Sequence, residues 1–332
     1  MTNEFKDKVI LVTGGTGTIG SALVEELLKH QPKQIRILSR DESKQYEFLE
    51  KFDHPTNIRM LIGDIRDRER LDMAFKDVDL VFHAAALKHV PFCEYNPFET
   101  VKTNVLGSQN VIDAALKNNV TKVIGISTDK VVNPAGIMGT SKLLMEKLFI
   151  NANYYKGDAK TMFACVRFGN VAWARGSVFP IWREQVEREK LIKVTNPNMT
   201  RFLMSVSEAA NLILEAAHFT QGGEIFILKM PAVRLGDLAK LFLRKYYPKE
   251  KIKLVMVGNR GAEKMHEELV GENHLNGKIF ESNKIIIIVP EVKIYSLAKQ
   301  KFGRYRGFKE QKRTKAYVSK NHLNLKKIKE II

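Results

Sequence analysis

Ser127, Thr128, Asp129 and Lys130 place hydroxyls, a carboxylate and an amine in one unbroken run. Such a run offers an acid and a base for moving protons, although a solvated loop ion pair has the same composition. It follows residues 122–126, Lys-Val-Ile-Gly-Ile, a short apolar stretch with β-branched residues that reads as a buried parallel strand. The polar groups therefore fall at a strand's carboxyl end, where open α/β sheets bind their ligands. Pro134 and Gly136 then break the chain. The pattern predicts a helix from Gly139, with Met138 just ahead of it and Lys142 in its first turn.

These groups need elements to hold them, and a second stretch has the spacing to hold phosphates. Residues 8–13 read as a strand and 21–29 as a helix; between them run Gly14, Gly15, Thr16, Gly17, Thr18, Ile19 and Gly20. Glycines three apart allow a tight turn, backbone approach to a pyrophosphate, and close helix-on-strand packing. The helix start adds free N–H groups. The second strand, 34–38, ends in Ser39 and Arg40, with Lys44 close behind. Those three suit the 2′-phosphate of NADP, so NADP is expected, while Asp41 leaves NAD open. Asp64 and Ile65 follow a third strand at 58–62, and the Asp reads either as an adenine contact or as a helix cap. A fourth strand at 79–82 leads to His83, Ala84, Ala85 and Ala86, small enough to let backbone pass beside a cofactor. Lys88 and His89 come next; His89 has no second His or Cys at ligand spacing, so no metal site is expected. Asn104, in a helix over 97–115, faces the sheet only if the apolar stripe through Val101, Val105 and Ile112 does.

The alternation continues to a sixth strand at 161–166, with Asn170 just beyond. It predicts an α/β protein with a Rossmann-type doubly wound parallel sheet over residues 1–172 and right-handed crossovers. After 172 the rhythm changes. A polar loop at 194–202, a helix at 207–217, a strand at 224–228, a helix at 234–245 and a charged turn at 259–268 running into a helix are expected. They make a smaller C-terminal α/β substrate-binding domain over 173–290, some of it packing back on the first domain. Residues 291–332 carry thirteen Lys/Arg and three Glu, supplying ten of the chain's net +17. This basic tail reads as solvated and partly disordered, and nucleic acid is not the expected partner. A chain of 332 residues can bury a real core. Two cysteines, Cys93 and Cys165, rule out a disulfide scaffold and suggest a reducing compartment. The polar start reads as no signal peptide, and the longest apolar run, 285–290, is too short to span a bilayer. A soluble cytoplasmic protein is expected.

The chain to about residue 270 resembles the extended short-chain dehydrogenase/reductases. More narrowly, it is similar to the nucleotide-sugar 4,6-dehydratases of the CapD-like polysaccharide-biosynthesis group. The resemblance rests on residues 14–20, 39–42, 83–91, 104–107 and 127–130, then 138–142, 167–171, 199–202, 229–231 and 263–269. It implies a homo-oligomeric, NADP-dependent hydro-lyase that converts UDP-N-acetylglucosamine, a UDP-amino sugar, to a 4-keto-6-deoxy product for glycan synthesis. In that reaction hydride leaves C4, the C5 proton is removed, water is lost across C5–C6 and hydride returns to C6.

The same resemblance implies a role for each residue. Lys130 is the C5 base, made neutral by burial and by the nearby Lys142 charge. Asp129 is the acid at O6, Thr128 binds the 4-oxygen, and Lys142 holds the nicotinamide ribose. Met138 stands where many members have Tyr and packs beside the sugar. A thioether takes no proton, so Asp129 or a water held by Thr128 receives the 4-hydroxyl proton. Asn104 joins the cofactor residues, and Lys88, Asn170, Arg201, Arg260 and Glu263 hold the nucleotide sugar. Two other readings stay open: a UDP-sugar 4-epimerase, and a non-catalytic NADP-binding regulatory protein, which Met138 keeps alive.

Overall fold

The computed structural model describes residues 3–259, 261–272, 277–290, 302–311 and 315–332. Its first half alternates β1 (Val9–Thr13), α1 (Thr18–Leu28), β2 (Gln34–Ser39), α2 (Glu42–Lys51), β3 (Ile58–Ile62), α3 (Arg68–Phe75) and β4 (Leu80–His83). Then come α4 (Val90–Tyr95), α5 (Pro97–Val101), α6 (Gly107–Lys117), β5 (Lys122–Ile126), α7 (Ile137–Tyr155) and β6 (Met162–Arg167). Every residue of β1 and β4 is buried, which is why these strands are continuous apolar runs and not alternating ones. The strands pair in parallel in the order β3-β2-β1-β4-β5-β6. This is the expected doubly wound sheet. Its order reverses between β1 and β4, and a crevice opens outside the carboxyl ends there.

The second half continues the same sheet. It runs β7 (Asn170–Val171), α8 (Val178–Glu189), β8 (Leu191–Val194), β9 (Thr200–Met204), α9 (Val206–Phe219), β10 (Ile225–Leu228), β11 (Ala232–Arg234) and α10 (Leu235–Tyr246). β12 (Lys253–Met256), β13 (Glu268–Val270), β14 (Lys278–Glu281), β15 (Ile285–Val289), β16 (Lys309–Gln311), β17 (Tyr317–Val318) and α11 (Leu325–Ile331) complete it. β10 pairs in parallel with β6, and β15, β14 and β16 add an antiparallel edge. A second, smaller core lies beside the sheet, built on Phe179, Trp182 and Phe242 and closed by Ile328 and Ile332.

Several local expectations are corrected. The helix over 97–115 is interrupted by a π-helical turn at Lys102–Leu106, the kind of local unwinding that often re-aims side chains at functional sites. α7 starts at Ile137, not Gly139, because the Glu94 carboxylate accepts from the Ile137 N–H at 2.7 Å; Lys142 thus sits in its second turn. α9 starts at Val206, with Ser205 as N-cap in a capping box with Glu208. The polar loop at 194–202 holds the ends of two strands, β8 and β9. The helix expected after the charged turn is replaced by β13, which pairs antiparallel with β17, while Thr200 bridges His266. Pairing with a partner strand distant in sequence overrides local helix propensity here.

The basic tail is also corrected, because its described parts are folded into the body. Tyr305 is 3% exposed and donates its hydroxyl to Glu224 at 2.8 Å. β16 joins the main sheet, β17 covers β13, and α11 buries Ile328. Lys309, Lys320, Lys326, Lys327 and Lys329 point outward. The charge sits on solvated faces of elements whose apolar residues are buried, so charge density alone misread them. Among the described residues no helix is long and apolar enough to cross a membrane.

Candidate active site

A cleft of about 990 Å³ opens at the carboxyl edge of β1, β4 and β5. The glycine loop forms one wall. Gly14 holds φ 67, and a Cβ there would stand 2.7 Å from the Ala85 backbone nitrogen. Only glycine permits both that torsion and that approach. α1 begins behind this loop with Gly17 as N-cap and no side-chain cap, so its first N–H groups face the cleft unspent.

The opposite wall is held by a buried polar chain. His83 is fully buried, and burial together with the Lys142 charge pushes it down to about 3, so the ring is neutral. Ser108 Oγ donates to Asn104 O at 2.7 Å, which leaves the Ser108 hydroxyl to accept from His83 Nε2 at 3.0 Å. His83 Nδ1 therefore accepts from Thr13 Oγ1 at 2.8 Å, and Thr13 Oγ1 accepts from the Ala85 N–H at 3.3 Å. The chain fixes Ala84, Ala85 and Ala86, all of which border the cleft. Asn104 does not border it. Its amide accepts from Leu87 N and donates to Leu87 O and Ser141 Oγ. It shapes the loop that the cofactor residues sit on and makes no wall itself, which corrects its expected place.

The remaining residues expected around a dinucleotide all line the cleft: Thr16, Thr18, Ile19, Gly20, Ser39, Arg40, Lys44, Asp64, Ile65 and Lys142, with Gly14 and Gly17. Thr16 Oγ1 and Ser39 Oγ share a hydrogen bond of 2.8 Å. Asp41 caps α2 through the Lys44 N–H and pairs with the Lys44 ammonium. Asp67, not Asp64, caps α3; Asp64 instead accepts from Arg66 and lies 3.6 Å from Arg40. The uncapped α1 start, the glycine cradle and the basic side chains at the β2 end fit a dinucleotide.

The chemistry-bearing end lies at β5. Asp129 is fully buried; its Oδ1 accepts from Thr128 Oγ1 at 2.9 Å and from Lys130 Nζ at 2.9 Å. Its Oδ2 has no hydrogen-bond partner among the described residues. Lys130 also reaches Asn170 Oδ1 at 3.4 Å and Glu267 Oε1 at 3.6 Å. Burial pushes this amine toward neutrality, with Arg201 helping, but the Asp129 and Glu267 carboxylates outweigh both and its pKa is raised. The expected neutral Lys130 is thus corrected: with two carboxylates against it, this lysine is charged in the structure. Lys142 differs. Its Nζ donates to Ile126 O at 2.8 Å, and burial brings it down to about 8. Met138 is buried and borders the cleft beside Lys130.

Lys88 and Asn170 border the cleft as well. Lys88 donates to Arg175 O at 2.9 Å, and burial lowers its pKa, with Arg175 adding to the effect. Arg201 and Glu263 are not on the cleft wall. Arg201 donates to Thr200 O and approaches Glu267 at 3.9 Å, and the buried Glu263 Oε2 has no hydrogen-bond partner among the described residues. Arg260 lies outside the described residues.

Arg175 and Glu267 had no site role in the sequence reading, and Ser127 entered it only as part of the strand-end run. Ser127 lines the cleft, and its buried Oγ has no hydrogen-bond partner among the described residues. Arg175 lines it too, its backbone N–H bonded to Thr18 Oγ1 at 3.0 Å. Glu267 is 3% exposed and faces Lys130. Only Ser127 carried a signal, its place in the strand-end run. Among the described residues no group of His, Cys, Asp and Glu could hold a metal.

Residues 10–313 match the family described as polysaccharide biosynthesis protein. A UDP-N-acetylglucosamine 4,6-dehydratase (inverting) from Campylobacter jejuni is 42% identical over 293 residues, 87% of this chain and 85% of that protein. A UDP-glucose 4-epimerase from Rickettsia bellii is 45% identical over 275 residues, 82% of this chain and 80% of that one. A Methanocaldococcus jannaschii protein named as an uncharacterized membrane protein is 52% identical over 280 residues, 83% of this chain and 84% of that one. The X-ray structure of Pen from Bacillus thuringiensis, 40% identical, superposes with a TM-score of 0.89 over 99% of this chain and 98% of that chain.

Proposed function

Since the chain belongs to the polysaccharide biosynthesis protein family, a group of nucleotide-sugar dehydratases and epimerases, we propose that it is an NADP-dependent UDP-N-acetylglucosamine 4,6-dehydratase. One observation carries this reading: Asp129 and Lys130 stand 2.9 Å apart at the β5 end, with Lys130 on the cleft wall. An acid and a base in contact are what loss of water across C5–C6 requires.

The dinucleotide, when bound, supplies removal of hydride from C4 and its return to C6. Gly14, Gly17 and the α1 start hold its pyrophosphate, and Lys142 holds the nicotinamide ribose. Arg40 carries the preference for NADP, because the Asp41 carboxylate, which could have bound a ribose diol, is taken up by the α2 cap and Lys44. Thr128 donates to the 4-oxygen. Asp129 takes the 4-hydroxyl proton and later gives it to O6 as water leaves. Lys130, as the neutral amine, takes the C5 proton and leaves its electron pair in the conjugated 4-ketone. Met138 excludes water and moves no proton. Lys88 and Asn170 contact the nucleotide sugar, and Arg201 and Glu263 support the segment behind it.

A 4-epimerase is the second reading, favoured by the Rickettsia bellii relative's name and identity. An epimerase leaves C5 alone and needs no base there. The exposed Phe92, Tyr95, Phe98, Leu106 and Leu144, on α4, α5, α7 and the π-helical turn between α5 and α6, support a homo-oligomer. Buried free thiols at Cys93 and Cys165 support a cytoplasmic setting. The deciding experiment incubates the protein with UDP-N-acetylglucosamine and NADP and follows the product by mass spectrometry. Loss of one water supports the dehydratase. An unchanged mass with a new sugar configuration establishes the epimerase instead.

A further inference from the structure

Glu267 has no part in the steps above, yet it is a buried carboxylate facing their base. Its Oε1 lies 3.6 Å from Lys130 Nζ and 3.9 Å from Arg201 Nε, and its buried Oε2 has no hydrogen-bond partner among the described residues. The folded tail holds it in place: Ser319 Oγ accepts from the Glu267 N–H at 2.9 Å, and Glu267 O accepts from the Ser319 N–H at 2.8 Å. Ser319 is itself fully buried and shares a 2.6 Å hydrogen bond with Thr200. A small chamber beside Lys130 is lined by Glu94, Lys264 and Met138 as well as Glu267. Four elements thus bring charge to this point: Asp129 from the β5 end, Arg201 from β9, Glu94 from α4, and Lys264 with Glu267 from the segment before β13.

A count of protons asks for this group. Lys130 is charged at rest and must lose one proton before it can act as a base. The 4-hydroxyl must lose another when the ketone forms. Asp129 has room for one of the two and passes it to O6. The other needs a second acceptor, shielded from water by the sugar. We propose that Glu267 is that acceptor, taking the proton from Lys130 when substrate closes the cleft. The transfer breaks one N–H bond at Nζ and forms one O–H bond on the Glu267 carboxylate. No charge is created, and two opposite charges vanish. In a desolvated site a neutral amine and acid are favoured over an imperfect ion pair. Lys130 then has a lone pair for the C5 proton, and Glu267 returns its proton after turnover. Because it acts through Lys130, Glu267 is a positioning residue. The proposal rests on the dehydratase reading.

Glu267→Gln tests it, because the amide keeps size and burial but cannot hold the proton. The readouts are C5 deuterium exchange in UDP-N-acetylglucosamine, its pH profile, and NADP binding. A purely electrostatic partner and a proton acceptor predict opposite results. Removing a negative charge beside Lys130 favours its neutral form, so an electrostatic role gives exchange that is unchanged or faster. Loss of the acceptor gives exchange at least a hundredfold slower, rising with pH as solvent takes over the proton. NADP binding stays as in the parent, and Glu267→Asp recovers part of the rate. Exchange at the parent rate or above overturns the proposal. If Glu267→Gln fails to fold, infrared difference spectra of Asp129→Asn on adding substrate decide: a new carboxylic-acid carbonyl band supports Glu267, and its absence overturns it. A parent protein that neither exchanges C5 nor loses water overturns the dehydratase reading, and this proposal with it.

Discussion

Lys142 is the place where burial can be read as a pH-dependent stability. Its side chain is 6% exposed, and burial lowers it from 10.5 to about 8. Below pH 8 it is charged in both folded and unfolded chains, and the folded protein bears the full cost of burying that charge. Between pH 8 and 10.5 the unfolded chain binds the extra proton and the folded one does not, so stability rises with pH. Each unit is worth about 1.4 kcal/mol, making about 3 kcal/mol across the window. Lys142→Met removes the charge at similar length but leaves Ile126 O without this donor, a loss of about 1–3 kcal/mol. The variant without added nucleotide is therefore expected to match or exceed the parent at pH 7. Its stability relative to the parent then falls by about 3 kcal/mol toward pH 10.5, because only the parent gains. Urea unfolding of both proteins at half-unit steps from pH 7 to 10 measures the difference directly, since other lysines and tyrosines titrate alike in the two. A difference that stays flat over this range would refute the burial argument and return Lys142 to an ordinary lysine.

Lys130→Ala should slow C5 deuterium exchange by about a hundred- to ten-thousand-fold while leaving NADP binding near the parent's; exchange at the parent rate would remove Lys130 as the base. Arg40→Ala should weaken NADP far more than NAD in a fluorescence titration, and equal weakening of the two would show that the 2′-phosphate is read elsewhere. Deleting residues 300–332 should unfold or strongly destabilise the protein. The deletion exposes the cores that Tyr305, Ile328 and Ile332 close, at about 1.5–3 kcal/mol per side chain, against a total stability of about 5–15 kcal/mol. A truncated chain with the parent's melting temperature by circular dichroism would show that the tail only decorates the surface.

Much was written locally. Continuous apolar runs bounded by glycine and polar residues marked β1, β4, β5 and β6, because strands buried on both faces have no freedom to alternate. The glycine spacing at Gly14, Gly17 and Gly20 located the dinucleotide wall, since the backbone geometry there depends on missing side chains and not on distant partners. Asp129 and Lys130 were visible as neighbours at a strand end. What they face was not. Glu267 reaches Lys130 from far along the chain, and it is held by Ser319, within a tail whose composition suggested only solvated charge. The adjacent Asp129 does most to hold Lys130 charged, and this distant carboxylate adds to it, a part that no local pattern could carry. Asn104 likewise reads as a helical polar residue until the π-helical turn swings it onto Leu87. Residues 259–268 read as a turn running into a helix, yet Glu268–Val270 form a strand because β17 offers a partner. Sequence periodicity reports which face of an element is buried; tertiary structure alone decides what that face is buried against, and here that contact sets the chemistry.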